Sequence, residues 1–236
     1  MEKEMKFQSI FNKKGVTLIE LLVALVIAAI TLAGIYRVFI SQTKTYAVQD
    51  QVVEVQQSVR GAMDILLRDL RMAGFDDDNL NSKYSDGTYI QVINPITNPL
   101  SDHSITVTYE YFDRTLGAPD GYQLHTVAYA LAPAPDGSLN LVRTRTITKH
   151  NKTLQNDPQE ILLPYVNALN FTYGVDDNDD GALDSWVPAA SVGVRKVIAV
   201  RAVLTARPDQ TNPDVKKAVS PRKLDSIVMM RNLCLR

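Results

Sequence analysis

Five aspartates fall within the nine residues Asp176-Asp177-Asn178-Asp179-Asp180-Gly181-Ala182-Leu183-Asp184, the run with the most pointed chemistry in this chain. Side-chain oxygens at Asp176, Asn178 and Asp180 alternate along it, and Gly181 follows where the backbone must turn sharply. That is the order in which an EF-hand-like loop presents oxygen ligands to Ca²⁺. The Ala182 carbonyl and the Asp184 carboxylate would supply two more donors, and hard oxygens crowded together suit a hard divalent cation. Val187 stands where an EF-hand carries its bidentate glutamate, and strand-like Phe171-Thr172-Tyr173 precedes the loop. The expectation is therefore a calcium-binding turn between strands, with a solvated acidic hairpin tip as the alternative.

Glu20 is the second residue with pointed chemistry. It is the one charge in a run of twenty otherwise uncharged, largely apolar residues, 16–35. As a helix, such a run extends roughly 30 Å, the thickness of a bilayer's hydrocarbon core. A carboxylate inside it costs about 2.5–3.5 kcal/mol on insertion scales and marks a function by default. Lys13 and Lys14 precede the run, so the amino terminus stays cytoplasmic and everything beyond Ile35 is exported. A removable secretory signal is a competing reading, with Ala33-Gly34 as a loose cleavage site, and an uncleaved anchor is another.

The rest of the chain offers little for catalysis. His103, His125 and His150 lie far apart with no paired metal spacing, and read as surface or strand histidines. Asp76-Asp77-Asp78 reads as a solvated turn, and Cys234 as a lone thiol that excludes an internal disulfide. No GxSxG, Walker loop or GxGxxG run occurs. Lys and Arg number 25 against 26 Asp and Glu, a formal charge of −1, and the chain lacks the basic surface that nucleic-acid phosphates require. Aromatic residues in the strands lack basic interleaving and read as core. The expectation is a protein that is not an enzyme and takes no nucleic acid.

Two kinds of element must position these residues. Val48, Val52, Val55, Val59, Met63, Leu66 and Leu70 recur at spacings of four and three among polar residues, an amphipathic helix with one apolar seam. No proline falls between Val16 and Gly74, so the apolar and amphipathic halves join into one helix of roughly 85 Å. Gly74 is its stop signal. Beyond it, runs 104–113, 122–131, 139–148, 168–175, 194–205 and 227–233 read as strands. Leu139 and Leu141, then Val194, Ile198, Val200 and Leu204, give partly alternating apolar faces, which leaves Arg143, Arg145, Arg195 and Arg201 at solvent or sheet edges. The fold class is α+β: a long amino-terminal helix, transmembrane half plus amphipathic half, packed on an antiparallel sheet. With 236 residues and 45% apolar composition, the chain has length for one head beyond the helix.

Lys14-Gly15-Val16-Thr17-Leu18-Ile19-Glu20-Leu21 resembles the cleavage and methylation motif of type IV prepilins and type II secretion pseudopilins. The resemblance implies a cut by prepilin peptidase after Gly15, N-methylation of Val16, and Glu20 as the fifth mature residue. Phenylalanine or methionine is usual where Val16 stands. Residues 60–75 (RGAMDILLRDLRMAGF) and Met230-Arg231-Asn232 are similar to the minor-pilin family PilW and to related minor pseudopilins. The implied organisation is a leader at 1–15, a helix at 16–73 with its transmembrane segment at 16–35, and a β-rich head at 74–236.

The function this implies is a minor type IV pilin that helps initiate pilus assembly and sits at or near the tip. It waits as a single-pass protein in inner-membrane lipid with its head in the periplasm, then enters a surface pilus beside other minor pilins and the major pilin. Glu20 of one subunit would meet the new amine of Val16 on its neighbour, since each charge is costly alone in low dielectric. Two alternatives stay open: a minor pseudopilin of a type II secretion system, and a membrane-anchored, calcium-dependent surface binding protein.

Overall fold

The computed structural model describes residues 15–76, 83–90, 92, 95–96, 100–207, 220–230 and 232. Helix α1 runs Leu18–Met72. Thr17 caps it, its Oγ1 accepting the Glu20 N–H at 3.3 Å, so a threonine at the N-cap stands three residues before a glutamate, the capping-box spacing. The other end stops at Gly74, whose φ of 75° is costly for any residue with a Cβ. The chain forms two compact units, Met1–Ala47 and Val48–Arg236.

Within the first unit, none of the described side chains from Val16 to Tyr46 is buried. Leu18, Ile19, Leu25, Ile30 and Phe39 are all largely exposed. The Thr31 hydroxyl donates to the Ile27 carbonyl at 2.8 Å, which satisfies a polar group that would otherwise be costly in an apolar setting. This half of α1 is long and apolar enough to cross a membrane.

The second unit is the head with the later turns of α1. Five strands make one antiparallel sheet: β1 (Ile105–Phe112), β2 (Tyr122–Pro133), β3 (Leu139–Lys149), β4 (Leu154–Asn156) and β5 (Glu160–Leu163). They run in the order β1-β2-β3, with β4 and β5 both pairing β3. Four more make a second antiparallel sheet in the order β7-β6-β8-β9: β6 (Val166–Asp176), β7 (Ser185–Val187), β8 (Lys196–Ala206) and β9 (Arg222–Met229). The expected antiparallel packing on the helix is present, divided between two sheets. Val55, Val59, Met63, Leu66 and Leu70 of α1 join Val107, Val127, Leu141, Phe171, Tyr173, Val200 and Leu204 in one buried cluster.

The strand expectations stand at six positions with shifted ends. The last strand begins at Arg222, earlier than 227, and residues 231 and 233 of that run lie outside the described residues. The short strands β4, β5 and β7 are additions, because three or four residues are too few to show alternation. Val48 and Val52 are only half-buried, so the fully buried seam of α1 begins at Val55. Val194 precedes β8 and is fully exposed, whereas Ile198, Val200 and Leu204 are buried as expected.

Candidate assembly site

Gly15 and Val16 immediately precede the Thr17 cap, and Val16 is 70% exposed. A peptide bond here lies just outside the first helical turn, in irregular backbone. Glu20 is in the first turn of α1, where the positive end of the helix dipole favours a carboxylate. Residues 1–14 of the expected leader lie outside the described residues.

In the head, the acidic run joins β6 to β7, and Gly181 takes a φ of 81°. Asp176 is 3% exposed. Its Oδ2 accepts the Gly181 N–H at 2.8 Å, and its Oδ1 accepts those of Asn178 and Asp180, each at 3.3 Å. Burial opposes the charge of this carboxylate, and the N–H groups of Gly181, Asp179, Asn178 and Asp180 together outweigh it, holding the group below its ordinary range. The Asp184 carboxylate accepts the Asp177 N–H at 2.7 Å, that of Asp180 accepts the Ala182 N–H at 2.7 Å, and the Asn178 side-chain carbonyl accepts the Asp180 N–H at 3.1 Å. Asp177 turns instead to Arg195 at 3.4 Å, and Asp179 to Lys196 at 3.1 Å. Asp176, Asn178, Asp180, Ala182 and Asp184 thus share one tight turn, with the side-chain oxygens directed at the turn's own amides. Among the described residues, no three Asp, Glu, His or Cys side chains are grouped so as to hold a metal ion.

A site the sequence did not announce ties α1 to the first sheet. Asp69, 3% exposed, accepts a hydrogen bond from the Tyr129 hydroxyl at 2.6 Å and from Arg143 Nε at 2.8 Å. Arg143 Nε also reaches the Tyr129 oxygen at 3.2 Å, and its Nη1 lies 3.6 Å from Glu160. Tyr129 and Arg143 are opposite each other across β2 and β3, which aims both at one helix turn. Burial first, then the hydrogen bond to Asp69, raises the Tyr129 pKa well above the ordinary phenol value. Burial works against the Arg143 charge, and the hydrogen bond and attraction of Asp69 overcome it, leaving the guanidinium more firmly protonated than usual.

The expectation that Arg143 faces solvent is therefore corrected: its side chain is 12% exposed because Asp69 offers a buried counter-charge. Arg201 is exposed as expected and pairs with Asp225, while Arg145 pairs with Asp157 at 2.5 Å. The available signal was the charged residue between Leu66 and Leu70 on a helical seam, since a carboxylate there must find a partner.

The histidines do not form a site. His103 is exposed and touches the Leu169 carbonyl at 3.2 Å. His125 is buried in β2 between Tyr109 and Tyr111, and His150 follows β3. Asp76 follows the helix end, while Asp77, Asp78 and Cys234 lie outside the described residues.

Comparison with known families adds two findings. Residues 10–36 match the prokaryotic N-terminal methylation motif, and residues 128–227 match the family described as type IV pilus-assembly protein W, PilW. Together the two matches support a type IV minor pilin of the PilW family. The second match begins inside β2 and continues into β9, so it covers much of both sheets. The matched families are structural pilus components and not enzymes, and a type IV pilus-assembly family implies interaction with other pilus components. A minor-pilin role accords with the apolar amino-terminal helix and the antiparallel head. No curated protein sequence matches the chain.

Proposed function

We propose that this chain is a PilW-like minor pilin that is trimmed by prepilin peptidase, helps start a pilus and stays at or near its tip. The observation that carries the reading is an apolar helix half with no buried side chain, preceded by Gly15-Val16 and bearing one acid, Glu20. Such a surface is stable in lipid, or against other helices of the same kind, and costly in water. Cutting after Gly15 frees an amine at Val16, close to the helix start. In a bundle, Glu20 of one subunit neutralises the amine of the next, which sets the stagger between them. The head stays in the periplasm until assembly carries it to the cell surface, and its contacts are with other minor pilins and the first major pilins.

The test is mass spectrometry of the chain's first peptide, from membranes and from sheared filaments. The reading requires a methylated Val16 start in both fractions, and a copy number far below that of the main subunit. A start near Gly34, or an intact Met1 in the filament fraction, refutes it. A Val16 start in a chain found only with secretion machinery, and never with pili, selects the pseudopilin alternative.

For the acidic loop we propose Ca²⁺ as ligand, supported by the alternation of Asp176, Asn178, Asp180, Ala182 and Asp184 around Gly181. Binding would exchange the loop's amide contacts for the cation, leaving the ion pairs of Asp177 and Asp179 in place.

A further inference from the structure

Strand β9 is the last strand of the second sheet on its side, and its pairing with β8 fixes which backbone groups point outward. The Met230 N–H donates to the Ile198 carbonyl at 2.8 Å. In an antiparallel ladder, hydrogen-bonded and non-bonded pairs alternate. With Met229 opposite Ala199 and Ile227 opposite Arg201, the even-numbered residues of β9 bond to β8. Lys223, Asp225, Ile227 and Met229 therefore turn their N–H and C=O groups away from the sheet. Among the described residues, no strand pairs with that edge. The edge of β1, by contrast, is covered: Gly74 donates to Thr108, and Glu110 to Phe75.

The two ends of this edge differ. Lys223 and Asp225 carry charge, and Asp225 is held by Arg201, the usual protection of an exposed edge. Ile227 and Met229 are apolar and 55% and 44% exposed. They border a groove of about 430 Å³ that also includes Arg71, Met72, Phe75, Val228 and Asn232. The groove floor is fixed, because Asn232 Nδ2 donates to the Arg71 carbonyl at 3.2 Å and closes the end of α1. Among the described residues no acid lines the groove, and Arg71 is exposed at its rim.

We propose that the outer edge of β9 at Ile227–Met229 is a strand-addition site for an extended segment of another pilus component. That segment is apolar at alternate positions and carries a carboxylate facing Arg71. Its backbone extends the ladder at β9, its apolar side chains lie against Phe75, Ile227 and Met229, and its acid meets Arg71. The inference rests on the pilus reading above and names the contact through which the head recognises its neighbour.

The test places a photoreactive benzoyl-phenylalanine at position 229 of the full chain, in cells that make the filament, and sequences the cross-linked peptides. Adducts should map to an extended, acid-bearing apolar segment of a different pilus subunit. Ile227→Pro removes one outward N–H without touching the β8–β9 bonds, and should lower adduct yield about five- to tenfold, the weight of one backbone contact plus local misfit. Ile227→Thr keeps that N–H and should retain most of the yield. Arg71→Glu, at an exposed position, should also lower it. If Ile227→Pro reduces protease resistance of the head, Arg71→Glu alone decides. Adducts confined to residues 208–219 or 231–236 of the same chain, adducts to a second copy, no adducts, or adducts indifferent to both Ile227→Pro and Arg71→Glu each overturn the inference. In all these cases the chain would still start at Val16 and be present in filaments, which separates this failure from failure of the pilus reading.

Discussion

Asp69 on α1 and Arg143 on β3 are separated by 74 positions, yet Arg143 Nε donates to the Asp69 carboxylate at 2.8 Å beneath the first sheet. Both side chains are nearly or largely removed from water. Such a pair is costly to break from one side, because the surviving charge stays buried. Asp69→Ala should lower the stability of the full chain in detergent by about 3–5 kcal/mol in urea unfolding. Tyr129→Phe keeps the ion pair and should cost about 1–2 kcal/mol. Equal and small losses in both variants would mean the pair is not an anchor.

His125 predicts a pH dependence. Burial, then repulsion from Arg145, pushes its pKa down to about 4 from the ordinary 6.5, while Asp157 pulls the other way. The folded state thus holds fewer protons than the unfolded chain between these values. Its stabilising contribution is complete above about pH 6.5 and is lost as pH falls through the window to about 4, by at most about 3 kcal/mol. Urea midpoints at pH 7.5 and pH 4.5 should converge in His125→Gln relative to the parent chain. An unchanged pH slope in that variant would assign the effect to another group.

Gly174 in β6 lies opposite Trp186 of β7. A Cβ there would sit 2.6 Å from Leu183 Cδ1 and 2.9 Å from Ala199 Cβ. Gly174→Ala should cost about 1–3 kcal/mol through overpacking, and should shift the emission of Trp186, the single tryptophan. A neutral variant with unaltered emission would show that β7 moves aside freely.

Trp186 also sits two residues beyond Asp184, at the end of the acidic loop. If the loop takes calcium, millimolar Ca²⁺ should change Trp186 emission saturably, and Asp180→Ala should abolish the change. No response and no heat in calorimetric titration at that concentration would leave the loop as an acidic hairpin tip held by its own amides.

Glu20→Ala should leave membrane insertion intact, since it removes a group that costs about 2.5–3.5 kcal/mol inside an apolar helix. Cleavage should also persist, while recovery of the chain in sheared filaments should fall severalfold. Undiminished recovery would remove Glu20 from the assembly mechanism.

The features legible before folding were local. Residues 16–35 specify a continuous apolar helix half because helix length and hydrophobicity need no partner to be recognised. Gly15-Val16 and Glu20 stand out for the same reason. Gly74 ends α1 because a single backbone position demands positive φ. The long strands show their alternation, whereas β4, β5 and β7 are too short for any periodic signal.

The sequence by itself therefore determined a membrane-capable helix, a β-rich head and an oxygen-rich turn at Asp176–Asp184, each written in neighbouring residues. Only the tertiary structure decided that the strands divide into two sheets, that Arg143 turns inward to Asp69, and that Ile227 and Met229 lie on an edge with which no described strand pairs. Those outcomes depend on partners tens of residues apart, and a buried charge or a backbone donor is satisfied by whatever the fold brings beside it.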